Sequence, residues 1–77
     1  MEYLATFFTH YGAMRFQKYC DAERIPAKMS PVPRNVSASC GVCVRFDAPC
    51  APEPKEHEDM ERCYVLDANG VYAPAEG

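Results

Sequence analysis

The stretch PVPRNVSASCGVCVRF, Pro31 to Phe46, decides how this chain folds. Pro31 and Pro33 each lack a backbone N–H and mark the fraying end of one strand. The closing residues alternate: Val42, Val44 and Phe46 share one face, Cys43 and Arg45 the other. That is the period-two pattern of a strand over residues 41–47. Residues 34–40 form the loop between the two strands. The rest of the chain has to be arranged around this strand–loop–strand unit.

Upstream, residues 2–9 read as a strand, with Tyr3, Ala5 and Phe7 on one face and Leu4, Thr6 and Phe8 on the other. Both faces are largely apolar, which predicts a central strand and leaves a second subunit as a candidate cover for one face. Thr9 or His10 can cap a helix running to about Arg24, in which Ala13, Phe16 and Cys20 fall on one face beside Gly12 and Tyr19. Gly12 lets that helix lie close to the sheet, and Cys20 reads as a buried core thiol. Ile25-Pro26 ends the helix, and Ala27 and Met29 alternate with Lys28 and Ser30 in a strand over 27–32.

Downstream, the prolines between Ala48 and Pro54 predict an irregular connection that carries Cys50. Pro54 suits the first turn of a helix over about 54–63, with Glu56, Glu58 and Asp59 near its positive end and His57, Met60 and Tyr64 along one face. A last strand falls within Tyr64–Asp67. Asn69-Gly70 is a hairpin turn signal that folds Val71-Tyr72 back as a short arm, and residues 73–77 read as a tail. The order β-α-β-β-α-β is the ferredoxin-like arrangement: an α+β fold with two helices on one face of a four-stranded antiparallel sheet.

The 77 residues form one domain with a thin core, in which hydrophobic residues at 48%, five Tyr and four Phe suffice for a fold. Net charge is −3, unevenly spread: Arg15, Lys18, Arg24, Lys28, Arg34 and Arg45 precede residue 47, whereas most of the acids follow it. Without a basic run or a recognition motif, this gives no case for nucleic acid. The first nine residues lack the positive segment of a secretory signal, and no stretch approaches the roughly 20 apolar residues of a membrane span. The expectation is a cytoplasmic chain with reduced thiols.

Five cysteines, an odd number, cannot all pair internally. Cys40 and Cys43 stand at C-x-x-C spacing, yet they open a strand rather than a helix. Three extended residues span about 10 Å, and a disulfide needs Cα atoms within about 7 Å, so a dithiol couple requires a turn at Gly41. Structural zinc is a second reading, drawing on Cys40, Cys43, Cys50, Cys63 and His57, but the second half of a tight ligand pair is missing. The third reading is one reactive thiol. Cys40 ends a loop, Gly41 leaves room for an approaching sulfur, and Arg34 and Arg45 are placed in sequence to stabilise a thiolate. Cys43 is its candidate assistant. Chemistry alone balances that reading against a Cys40 that fills a loop pocket.

The same residues carry a resemblance. An apolar strand and helix, Pro33-Arg34, a short polar loop, Cys40-Gly41 and an aliphatic strand ending Arg45-Phe46 resemble a family of small bacterial selenium/sulfur carrier-like proteins, a domain of unknown function. The similarity runs from about Tyr3 to Val65. It implies a non-catalytic carrier that takes a persulfide or selenopersulfide on Cys40 from a cysteine desulfurase-type donor and passes it to an acceptor protein, with no cofactor. The family's cysteine matches Cys40 and its glycine Gly41; Cys43 stands where the family pattern has an aliphatic or small residue. The alternative is a small binding or adaptor module, open to stabilisation by zinc, that acts through self-association as a homodimer. Two histidines outside any catalytic motif make an enzyme the weakest reading.

Overall fold

The strand read first in the chain is the centre of the sheet. In the computed structural model, which describes residues 1–75, β1 (Glu2–Phe7) lies between β3 (Val42–Asp47) and β4 (Met60–Leu66), antiparallel to both. β2 (Ala27–Pro31) pairs outside β3 and β5 (Tyr72–Pro74) outside β4, which gives the order β2-β3-β1-β4-β5. β5 takes in Ala73 and Pro74, expected in the tail; residues 76–77 lie outside the described residues.

The helix α1 (His10–Ala22) starts where the sequence predicts. Thr9 is its N-cap. The Thr9 Oγ accepts the Gly12 N–H at 3.0 Å and donates to the Asp59 carboxylate at 2.9 Å, so one hydroxyl ties the helix start to the chain entering β4. Arg24, just beyond the helix end, has φ 60°, the left-handed conformation that stops a helix. Gly12, Ala13, Phe16 and Cys20 form the buried stripe. Ala13, Phe16 and Cys20 pack on Tyr3, Ala5 and Phe7 of β1 and on Val44 and Phe46 of β3. Phe16 is the hub, with ring centroids 5.0 Å from Phe46 and 5.5 Å from Phe7.

The close approach at Gly12 is specific. A Cβ there would overlap the Cβ of Asp59. Gly12→Ala gains up to about 1 kcal/mol of helix propensity, but overpacking against a backbone-proximal atom costs about 1–3 kcal/mol. The overlap therefore decides the sign. The substitution is expected to lower the urea midpoint, and an unchanged or raised midpoint would show that the helix start stands clear of Asp59.

The opposite sheet face is covered by the chain itself. The loop after β2 folds back so that Val36 packs against Leu4 and Cys43, all three 7% exposed or less, with Val32, Tyr64 and Tyr72 at the rim. This explains the two apolar faces of β1.

The ferredoxin-like expectation of two helices on a four-stranded sheet is overturned. There is one α-helix among the described residues and a five-stranded antiparallel sheet. Where a second helix was expected over 54–63, a single 3-10 turn spans Pro54–Glu56. Asp59, at φ 64°, breaks any helix there, and its carbonyl accepts the Phe8 N–H at 2.8 Å. The chain then pairs with β1 from Met60 onward. No helix among the described residues is long and apolar enough to cross a membrane.

Candidate functional site

The loop carrying Cys40 is held at several points. Val36 N–H donates to the Pro33 carbonyl at 3.1 Å, closing a turn that leaves Arg34 exposed at its tip and sends Val36 inward. Val32 N–H donates to the Gly41 carbonyl at 3.2 Å, so the two ends of the loop meet. The third anchor comes from β4. Thr6 stands opposite Arg62 and Phe7 opposite Met60, a register shift that leaves Glu61 as the extra residue of a β-bulge. Its carboxylate accepts the Ser39 N–H at 3.0 Å and the Ser39 Oγ–H at 2.9 Å.

Cys40 therefore sits between two fixed neighbours, Ser39 and Gly41. Its side chain is half-buried. A Cβ added at Gly41 would meet nothing within 4 Å, so the flank beside the thiol is open.

The other residues named from the sequence are placed as follows. Cys43 is fully buried beneath the loop, its Sγ 3.4 Å from the Ser30 Oγ and donating weakly to the Pro31 carbonyl at 3.7 Å. Burial pushes its pKa up; the Ser30 hydrogen bond and the Arg45 charge act in the opposite direction. Arg45 is exposed on the same face and pairs with Glu2 at 2.9 Å. Leu4 and Lys28 are its cross-strand partners, whereas the Cys40 loop enters β3 at Val42. Arg34 and Cys40 thus share the loop; Cys43 and Arg45 belong to the sheet below it.

The proposed metal ligands are dispersed. Cys63 is buried on the helix side of the sheet and Cys43 on the other, while Cys50 is exposed in the proline-rich connection. His57 packs edge-on against Phe16 and Tyr19, with centroids 4.9 and 4.8 Å away. Among the described residues no group of three or more His, Cys, Asp or Glu could hold a metal ion. Cys20 is a core thiol, its pKa raised to about 11 by burial and by neighbouring Asp21. Glu61 and Ser39 were missed by sequence reasoning, because a bulge leaves no mark in the residue pattern.

His57 supplies a pH prediction. Burial among the rings lowers its pKa, with Glu56 opposing. Arg15 and Glu58 line the same groove and pair with each other. The folded state thus binds fewer protons than the unfolded state as pH falls through the ordinary imidazole range near about 6.5. The contribution to stability is present above that range and lost below it. The urea midpoint is expected to drop between pH 7.5 and 5.5, and His57→Phe is expected to flatten that part of the profile. An equally steep profile in the variant would assign the effect elsewhere.

A family model described as "Putative Se/S carrier protein-like" matches residues 2–62. No curated protein and no solved structure shows significant similarity to the chain.

Proposed function

We propose a carrier function from the premise that the chain belongs to the Se/S carrier protein-like family. In this reading Cys40 accepts a terminal sulfur or selenium from the persulfide or selenopersulfide of a donor protein. The Cys40 thiolate attacks the outer chalcogen of the donor group. The donor's S–S or S–Se bond breaks as the new bond to Cys40 forms. The donor cysteine leaves as a thiolate and takes up the proton that Cys40 gave up. No oxidant or reductant is consumed, and an acceptor protein removes the chalcogen by the same exchange in reverse.

The observation that supports this best is the setting of Cys40: a half-buried thiol in an anchored loop, with open space at Gly41. The buried cysteines Cys20, Cys43 and Cys63 have no such access. Arg34, exposed on the same loop, adds positive charge where a partner approaches. Cys43 lies beneath the loop as its floor.

The test is to incubate the protein with a cysteine desulfurase and cysteine, then to map modified peptides by mass spectrometry with fragmentation to separate Cys40 from Cys43. An added sulfur on Cys40 is expected. A Cys40 that stays unmodified while remaining open to alkylation rules out the proposal. Repeating the loading with selenocysteine and a lyase compares selenium with sulfur.

A further inference from the structure

Glu61 does something its place in a strand does not require. It is the extra residue of the β1–β4 bulge, and so has no cross-strand partner in β1. Bulges re-aim side chains, and this one directs a carboxylate at the loop from the far side of the sheet. The loop leaves β2, crosses above Cys43 and Leu4 with Val36 turned down onto them, and reaches β4 at Ser39. There both carboxylate oxygens are engaged, one by the Ser39 N–H and one by its hydroxyl. Charge-assisted hydrogen bonds of this kind are stronger than neutral ones, and two from one residue fix orientation as well as distance. The residue on the other side of Cys40 is tied through the Gly41 carbonyl to Val32.

We propose that Glu61 is the positioning residue for Cys40, a latch that holds the thiol loop across the sheet and sets how far Cys40 is presented. With the latch made, the backbone on both sides of Cys40 is fixed and the thiol stays half-buried. With it broken, residues 37–40 lose their hydrogen-bonded tie to β4, and Cys40 moves out toward solvent. For sulfur transfer, which rests on the carrier reading above, the latch lets an incoming donor find the thiol already oriented rather than having to order the loop.

Glu61→Ala and Glu61→Gln separate position from charge. Glutamine removes the charge but can still accept from the Ser39 N–H and donate to its hydroxyl; alanine removes both bonds. The readouts are the rate at which iodoacetamide alkylates Cys40, across pH 6.5–9, and the exchange rate of the Ser39 amide. Neither needs a sulfur donor. In Glu61→Ala both rates are expected to rise by roughly three- to tenfold, the scale left to two charge-assisted bonds once solvent screens them at an exposed site. Glu61→Gln is expected to stay within about twofold of the starting protein, because a neutral hydrogen-bonded pair keeps most of the geometry. Ser39→Ala, which keeps only the N–H bond, is expected to fall between them, and it carries the test should Glu61→Ala fail to fold.

Unchanged rates in both Glu61→Ala and Ser39→Ala overturn the proposal. Equal rises in Glu61→Ala and Glu61→Gln also overturn it, since the effect is then one of charge alone. Wild-type protein that takes no sulfur on Cys40, yet shows the expected order of alkylation rates, sinks the carrier reading and leaves the latch standing.

Discussion

Replacing Cys40 by serine is expected to abolish sulfur loading while leaving the fold in place. A serine hydroxyl cannot carry a persulfide and is a far poorer nucleophile at neutral pH, so the modified species should fall to the level of a donor-free control. The fold should barely respond. Cys40 is half-exposed in a loop, and its two neighbours make the anchoring bonds through their own atoms. Substitutions at such positions fall within about 0.5 kcal/mol, which shifts the Tm of a domain this size by only about 2–4 °C. The decisive comparison is Cys50→Ser. Cys50 is the other accessible thiol in the family-matched segment, and it lies in the proline-rich connection. Loading lost in Cys40→Ser and kept in Cys50→Ser supports the assignment; the opposite pattern moves the carrier site to Cys50.

Phe16→Ala is expected to be the most damaging single truncation. Phe16 is 3% exposed and packs against four rings, those of Phe7, Tyr19, Phe46 and His57. Truncating such a residue costs about 3–5 kcal/mol, because the cavity relaxes only in part. Natural domains hold roughly 0.05–0.15 kcal/mol per residue, so a chain of this length has only about 4–12 kcal/mol in total. The variant should therefore be largely unfolded at 37 °C or melt some 15–30 °C lower. A urea midpoint close to that of the starting protein would mean that α1 does not seat on the sheet through Phe16. Burial of His57 would then lose its cause as well.

The first two-thirds of the fold can be read from local chemistry. Thr9 before a periodic stretch, Ile25-Pro26 after it and the alternation of Val42, Val44 and Phe46 each mark an element that the structure contains. The reading failed between Pro54 and Cys63, where it expected a second helix, for an identifiable reason. His57, Met60 and Tyr64 recur at three- and four-residue spacing, the pattern of one helical face, yet Met60 packs on the helix side of the sheet and Tyr64 on the other. With Pro54 before them and acids around them, local signals favour a helix where the structure begins a strand at Met60. The choice is made by β1, which needs a partner on its second edge.

The layout of the candidate site was legible only in part. Cys40 and Gly41 stand out by spacing and by family pattern. The fate of Cys43 did not, since its face counts as exposed until Val36 is known to fold over it. That closure joins residues distant in sequence and follows from packing. The Ser39–Glu61 tie spans 22 positions and depends on the bulge at Glu61. Arg45 was read as a neighbour of the thiol from its place in the chain, but register sets it opposite Leu4 and Lys28 and in reach of Glu2.

The place of β1 in the sheet also bears on how the protein is made. β1 leaves the ribosome before β3 and β4, yet it pairs with both and with neither β2 nor β5. Its register with β4 joins Tyr3 to Val65, nearly the whole length of the chain. Until β3 emerges both edges of this apolar strand are open, and until β4 follows one of them still is. Pairings this distant close slowly and leave sticky intermediates exposed. Truncated nascent chains ending before Met60 should thus be caught by chaperones or aggregate, and the native sheet should form only once synthesis has passed β4.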